Sequence, residues 1–202
     1  MKIHLPSSFF QPNKLKEIYY KSLVVKNTEE KFDPLCHRAF PLLFETEKEI
    51  MMMNIKWGAS RKTVTRLLGN PRFACKALAD DRSDILFFKQ EIQQEKAIIQ
   101  CHFLKDQFYY AHIDFVSSLS TENLKIQEMV RHKFQIADLK ADRNLIITDP
   151  AENKLILEHN VYLHLEYLTG KPSIVKKIKE QAFLKSETKR PPGMLKRPSI
   201  YL

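Results

Sequence analysis

Two neighbouring runs constrain this chain most. "AIIQCHFL" at 97–104 puts Ala97, Ile99, Cys101 and Phe103 on one face, and "FYYAHIDFV" at 108–116 puts Tyr109, Ala111, Ile113 and Phe115 on one face. Side chains of a strand alternate between its two sides, so this period of two predicts a pair of half-buried strands. The short link "LKDQF" makes them an antiparallel hairpin. A three-residue loop, Lys105-Asp106-Gln107, keeps both apolar faces on one side by pairing Leu104 with Phe108. It sets His102 opposite Tyr110 and Gln100 opposite His112 on the outer face, beside Asp114.

"DILFFKQEI" (84–92) is a third β-rich run. A helix capped by Ser120 or Thr121 then follows, with Ile126, Met129, Val130 and Phe134 as its apolar stripe. Three more strand candidates come next: 144–148, 153–159 and 161–168. In the last, Val161, Leu163, Leu165 and Tyr167 face one way, and Tyr162, His164 and Glu166 the other. With a helix starting near Ser60, the chain reads helix-β-β-β twice. That predicts an α+β fold in which helices pack on an antiparallel sheet. Residues 55–170 form this tandem domain, 1–54 an N-terminal extension folded onto it, and 171–202 a basic helix and tail. Within the extension, Leu15, Ile18, Tyr19 and Leu23 recur at helical spacing after Asn13, a candidate cap; "ETEKEIMMMN" reads as a short helix or the start of a strand.

"IKWGASRKTVTRLLGNPRF", Ile55 to Phe73, invites a phosphate-loop reading. The spacing G-x-x-x-x-G-K-[ST] is absent, and only 4 glycines occur in 202 residues, against 13 Phe and 7 Tyr. Helix punctuation explains the same residues. Ser60 caps, Val64, Leu67 and Leu68 form a stripe, Gly69 supplies a left-handed exit and Pro71 stops continuation. Trp57 packs beside the helix start.

The residues Gly58, Ser60, Val64, Leu68, Gly69 and Pro71, followed by strands, resemble the signature of the outer-membrane assembly lipoprotein family BamE (SmpA/OmlA). The architecture is also similar to that of the beta-lactamase inhibitor protein. The resemblance spans about 60 residues and implies a non-enzymatic, protein-contacting module. The family's signal peptide and lipid-bearing N-terminal cysteine have no counterpart here, and the basic tail departs from it too.

Chemistry-bearing residues are scattered. Cys36, Cys75 and Cys101 form no C-x-x-C, so neither a disulfide framework nor a zinc knuckle is suggested and they read as buried free thiols. Cys75 beside Lys76 has no histidine linked to it in sequence, and Asp80, Asp81 and Asp84 read as a solvated connection. His102 and His112 lie diagonally on the outer face near Asp114 and Tyr110. No third ligand is apparent, so they read as solvent-face histidines. No catalytic residue, metal or cofactor is expected. The start "MKIHLPSSFFQPNKLKE" lacks the apolar core of a secretory signal, so a cytoplasmic location is expected.

The net charge of +9 is concentrated at one end: residues 171–202 carry nine basic and two acidic residues, a balance of +7. There Ile174, Val175, Ile178 and Ala182 form one stripe of a basic amphipathic helix. The expected role is a protein-binding or scaffold module. The alternative is binding of nucleic acid or another polyanion through Lys176, Lys177, Lys179, Lys185, Lys189, Arg190, Lys196 and Arg197. In the simpler alternative for this helix, the stripe docks on the domain and the lysines face water. The outer sheet face, with Asp114 and Glu166, opposes phosphate binding.

Overall fold

The protein is described from a computed structural model. It describes residues 12–25, 28, 30–32, 42–76, 83–115, 120–136, 144–159 and 163–188. In chain order these form α1 (Pro12–Ser22), a 3-10 turn (Glu30–Phe32), β1 (Leu42–Glu45), α2 (Arg61–Leu68) and β2 (Phe73–Lys76). The strands β3 (Ser83–Ile92), β4 (Glu95–Leu104) and β5 (Gln107–Phe115) follow, then α3 (Ser120–Phe134). The chain continues through β6 (Leu145–Thr148), β7 (Lys154–His159), β8 (Leu163–Leu168) and α4 (Pro172–Thr188).

The described strands form one sheet in the order β1-β6-β7-β8-β5-β4-β3-β2. The fold is α+β, and its two helix-led units meet where their last strands, β5 and β8, pair antiparallel. Two features differ from a purely antiparallel sheet of two three-stranded units. Residues 73–76 add β2 at one edge, and β1 lies parallel to β6 at the other. The sheet is therefore mixed.

Alternation along β3–β8 sorts the side chains into two layers. On one face Phe88, Ile99, Cys101, Phe108, Ile113, Leu157 and Leu165 meet Val64 and Leu68 of α2 and Ile126, Val130 and Phe134 of α3 in a single core. The opposite face is also covered, contrary to the solvated surface expected of it. Tyr20 and Val24 pack on Ile85, Phe87 and Ile98. At the far end Ile174 and Ile178 of α4 pack on Ile146, Ile156, Tyr110 and Leu168, beside Val25 and Phe32.

The β4–β5 hairpin reaches the expected pairs by another route. Its loop is two residues, Lys105 and Asp106, both at positive φ (50° and 64°), and Phe103 pairs with Phe108. A bulge after that pair absorbs Tyr109, so His102 still faces Tyr110 and Gln100 faces His112. The same bulge turns Tyr109 away from the main core into the second layer, where its ring meets Phe32. A two-residue primed turn matches the twist of the strands it joins, which a plain three-residue loop does not.

The 55–73 stretch is architecture. Ser60 Oγ accepts from the Thr63 amide, and Gly69 leaves α2 at φ 81°. Trp57 stacks on Phe108 with ring centroids 5.0 Å apart, and its indole N–H donates to the Ile50 carbonyl. The anion at the α2 N-terminus comes from the protein itself. Asp106 accepts from the Arg61 amide and from Arg61 Nε at 2.7 Å, while Arg61 also pairs with Asp84. Asp84 thus belongs to β3 rather than to a loop.

The N-terminal helix keeps only the last member of its expected stripe, Leu23, which lies just past the helix end and packs on the core. Leu15, Ile18 and Tyr19 are about half exposed, and the anchor is Tyr20, stacked on Phe73 at 5.3 Å. The helix begins at Pro12, so Asn13 lies inside it. Residues 47–55 form neither helix nor strand; Met52 and Ile55 close a tight turn through Met53 and Asn54, both at positive φ.

Candidate functional site

The second sheet face carries a polar band between its two apolar patches. Because β5 lies between β4 and β8, strand register builds the band in rungs. Gln100 and Glu166 flank His112 across β4, β5 and β8, and Asp114 and Glu158 flank His164 across β5, β8 and β7. His102 and Tyr110 form the rung beside them.

Two imidazoles converge on one oxygen. His112 Nε2 lies 2.8 Å and His164 Nδ1 2.5 Å from Asp114 Oδ1. The two rings are stacked with centroids 5.2 Å apart. On the other side of His112, its Nδ1 is 3.4 Å from Glu166 Oε1. Lys31, carried in by the N-terminal segment, pairs with Glu166 at 3.0 Å and with Glu158 at 3.7 Å. Gln100 is buried and ties that segment down, donating to the Leu23 carbonyl and accepting from the Val25 amide. Glu166 is nearly sealed, whereas Asp114 and His164 keep 22% of their side-chain surface. The band therefore opens to solvent at its Asp114–His164 end.

The charges hold one another. Burial disfavours the His112 imidazolium, but the hydrogen bond to Asp114 and the negative charges of Asp114 and Glu166 outweigh burial and push its pKa up to about 9. Burial works against Glu166 too, yet His112 and Lys31 hold it down at about 2. Asp114 is likewise driven well below the carboxylate range by His112 and His164, against its burial. Lys31, although partly buried, is raised by Glu166 and Glu158. For His102, burial and then His112 outweigh the charge of Glu166 and lower it to about 3. Among the described residues, His102 Nε2, Tyr110 Oη, His112 Nδ1 and Glu166 Oε2 are buried without a hydrogen-bond partner.

The arrangement brings two imidazole nitrogens and one carboxylate together at the more exposed end of the band, backed by a second carboxylate and a lysine. No family model, curated protein or solved structure matches this chain.

Alternation alone places Tyr110, His112, Asp114, His164 and Glu166 on one face. Sequence reasoning missed their convergence and their cover. The β5–β8 adjacency joins residues about fifty positions apart, and Leu23, Val25 and Lys31 reach the band from outside the sheet. His102 sits behind the cluster, edge-on to Tyr110, and is not a member of it. The basic residues of the C-terminus divide differently. Lys176 and Lys179 line a cleft of about 720 Å³ with Lys31 and Lys154, next to Glu152 and Glu180. Lys177 donates to Gln107. Lys185 lies within α4, and Lys189, Arg190, Lys196 and Arg197 lie outside the described residues. With Ile174 and Ile178 buried and Lys176 and Lys179 exposed, α4 docks its stripe on the sheet.

Cys101 is buried in the core, and burial also raises the half-buried Cys75 thiol. Cys36, Tyr162 and the pair Asp80-Asp81 lie outside the described residues. Among the described residues no helix is long and apolar enough to cross a membrane.

Proposed function

We propose that the protein is a non-catalytic binding module whose partner is another protein, docked on the outward face of α1. One observation carries this reading: Leu15, Ile18 and Tyr19 are exposed side by side on a helix already anchored by Tyr20. Residues at i, i+3 and i+4 share one helix face, and such an apolar stripe is the usual anchor of helix-mediated recognition. Lys16, Arg72 and Lys89 surround Tyr19 and Tyr20 in a shallow depression of about 390 Å³. A partner surface with an apolar centre and a carboxylate rim fits this pattern. The chain's own charge of +9 disfavours a second copy there.

The test compares the intact chain with Ile18→Asp. Proteins captured from cell extract are purified and returned as two-component mixtures at low and high salt. A purified partner that binds the native chain and loses at least tenfold in affinity with Ile18→Asp, at unchanged melting temperature, supports the reading. Partners indifferent to the substitution overturn it. Binding of anionic vesicles that is lost in Ile18→Asp replaces it with a membrane-surface role.

The likeness to BamE-type modules and the beta-lactamase inhibitor protein is part of the same proposal. It is supported by the capped α2, its Gly69 exit and the tandem helix-on-sheet plan. A second reading, polyanion binding near α4, is favoured by the cleft that gathers Lys31, Lys154, Lys176 and Lys179. Steep salt dependence of oligonucleotide binding, reduced in Lys176→Glu, is its expected signature.

A further inference from the structure

We infer that His112, Asp114 and His164 form a binding site for a divalent transition-metal ion, on the opposite side of the sheet from α2 and α3. The proposal starts from geometry. One ligand atom from each residue lies within 4.8 Å of the other two, and both imidazole nitrogens already point at Asp114 Oδ1. An ion bonded at ~2.0–2.1 Å needs its ligand atoms ~3.3 Å apart in a tetrahedral arrangement. The present separations of 2.8 and 2.5 Å are short of that by about 0.5 and about 0.8 Å. Asp114 and His164 stand at the solvent-exposed end, where side chains have room to move apart.

The backbone supplies preorganisation. His112 and Asp114 are alternate residues of β5, and Asp114 is directly opposite His164 on β8. All three sit on paired central strands rather than on a loop. Two imidazoles and one carboxylate suit zinc, cobalt, nickel or ferrous iron, whereas magnesium and calcium favour oxygen ligands alone.

A second shell is also in place. Metal-bound histidines generally present their other ring nitrogen to a carboxylate, which fixes ring orientation and tautomer. Glu166 Oε1 stands 3.4 Å from His112 Nδ1, and Lys31 holds Glu166 in turn. Gln100 Nε2 is 3.4 Å from Asp114 Oδ2. His112 Nδ1 thus faces a carboxylate across a long 3.4 Å gap, and the second oxygen of that carboxylate, Glu166 Oε2, is buried without a hydrogen-bond partner.

The experiment uses the full chain stripped with chelator, titrated with zinc against a chromophoric competitor and with cobalt by its visible absorption. One ion per chain is expected, with cobalt bands that show nitrogen and oxygen ligands. His164→Gln and Asp114→Asn should weaken zinc by at least a hundredfold, and Glu166→Gln by about 10–100-fold as an outer-shell change. His132→Gln, on α3, should change nothing. Circular dichroism and melting of each variant without metal separate loss of ligand from loss of fold; His164→Gln, at the exposed end, is the variant that should keep its fold. Absence of zinc and cobalt binding, or binding that survives in folded His164→Gln, overturns the proposal.

Discussion

At the residue scale, the β3–β4 and β4–β5 hairpins turn without glycine. Gln93 and Gln94 close the β3–β4 hairpin at φ 53° and 68°, and Lys105 and Asp106 do the same for β4–β5. Left-handed backbone is strained for residues bearing a Cβ, and Asn-Gly is the favoured pair for this turn. Replacing Gln93-Gln94 by Asn-Gly should therefore stabilise the protein by about 1 kcal/mol, read as a raised urea midpoint at unchanged slope. His102 makes a prediction about acid. Its folded pKa, about 3, lies below the value near 6.5 of an unfolded histidine. Its contribution is complete above pH 6.5 and is lost as pH falls, because only the unfolded chain then takes up the proton. Between pH 6 and 5 His112 is charged in both states and carboxylates scarcely titrate, so the slope belongs largely to His102, approaching tenfold in the folding equilibrium per unit. His102→Phe should flatten that part of a stability-against-pH curve.

At the scale of elements, helix α1 works through one face. Tyr20→Ala should cost about 3 kcal/mol, since it empties the stack on Phe73 and Phe87. Ile18→Asp, on the exposed face, should stay within about 0.5 kcal/mol in the same chemical melt. This contrast also marks where sequence was legible. The β-rich and alternating runs became β3 to β8, because each strand sorts its side chains between two different layers, apolar towards α2 and α3 and mixed polar and apolar on the other side. β1 and β2, four residues each at the sheet's edges, offered too few alternations to recognise. The α1 stripe misled because several apolar residues crowd "KLKEIYYKSLV", and only tertiary contact with Phe73 decides that Tyr20 rather than Tyr19 turns inward. The site residues shared a face by period alone. Their meeting depended on β5 pairing with β8, which no local pattern encodes.

At the scale of the molecule, the sheet is covered on both sides, and α4 is part of that cover. Ile174 and Ile178 shield Ile146, Ile156 and Leu168. A chain ending at Gly170 should therefore melt at a lower temperature and bind a hydrophobic dye, which makes such a truncation unsuitable for isolating the role of the basic residues alone. Gly170 itself is fixed by crowding: a Cβ there would fall on the Ala151 carbonyl and the Glu152 backbone, so Gly170→Ala should lower the melting temperature by several degrees. The strand order carries a consequence for how the molecule assembles. Most ladders join neighbours in sequence, but β1 must find β6 across about one hundred residues of chain, and does so in parallel. Closing so long a loop is slow relative to zipping a hairpin. The two meanders can be complete while Leu42–Glu45 still searches, so this edge is the last to join on refolding and the first whose amides exchange with solvent.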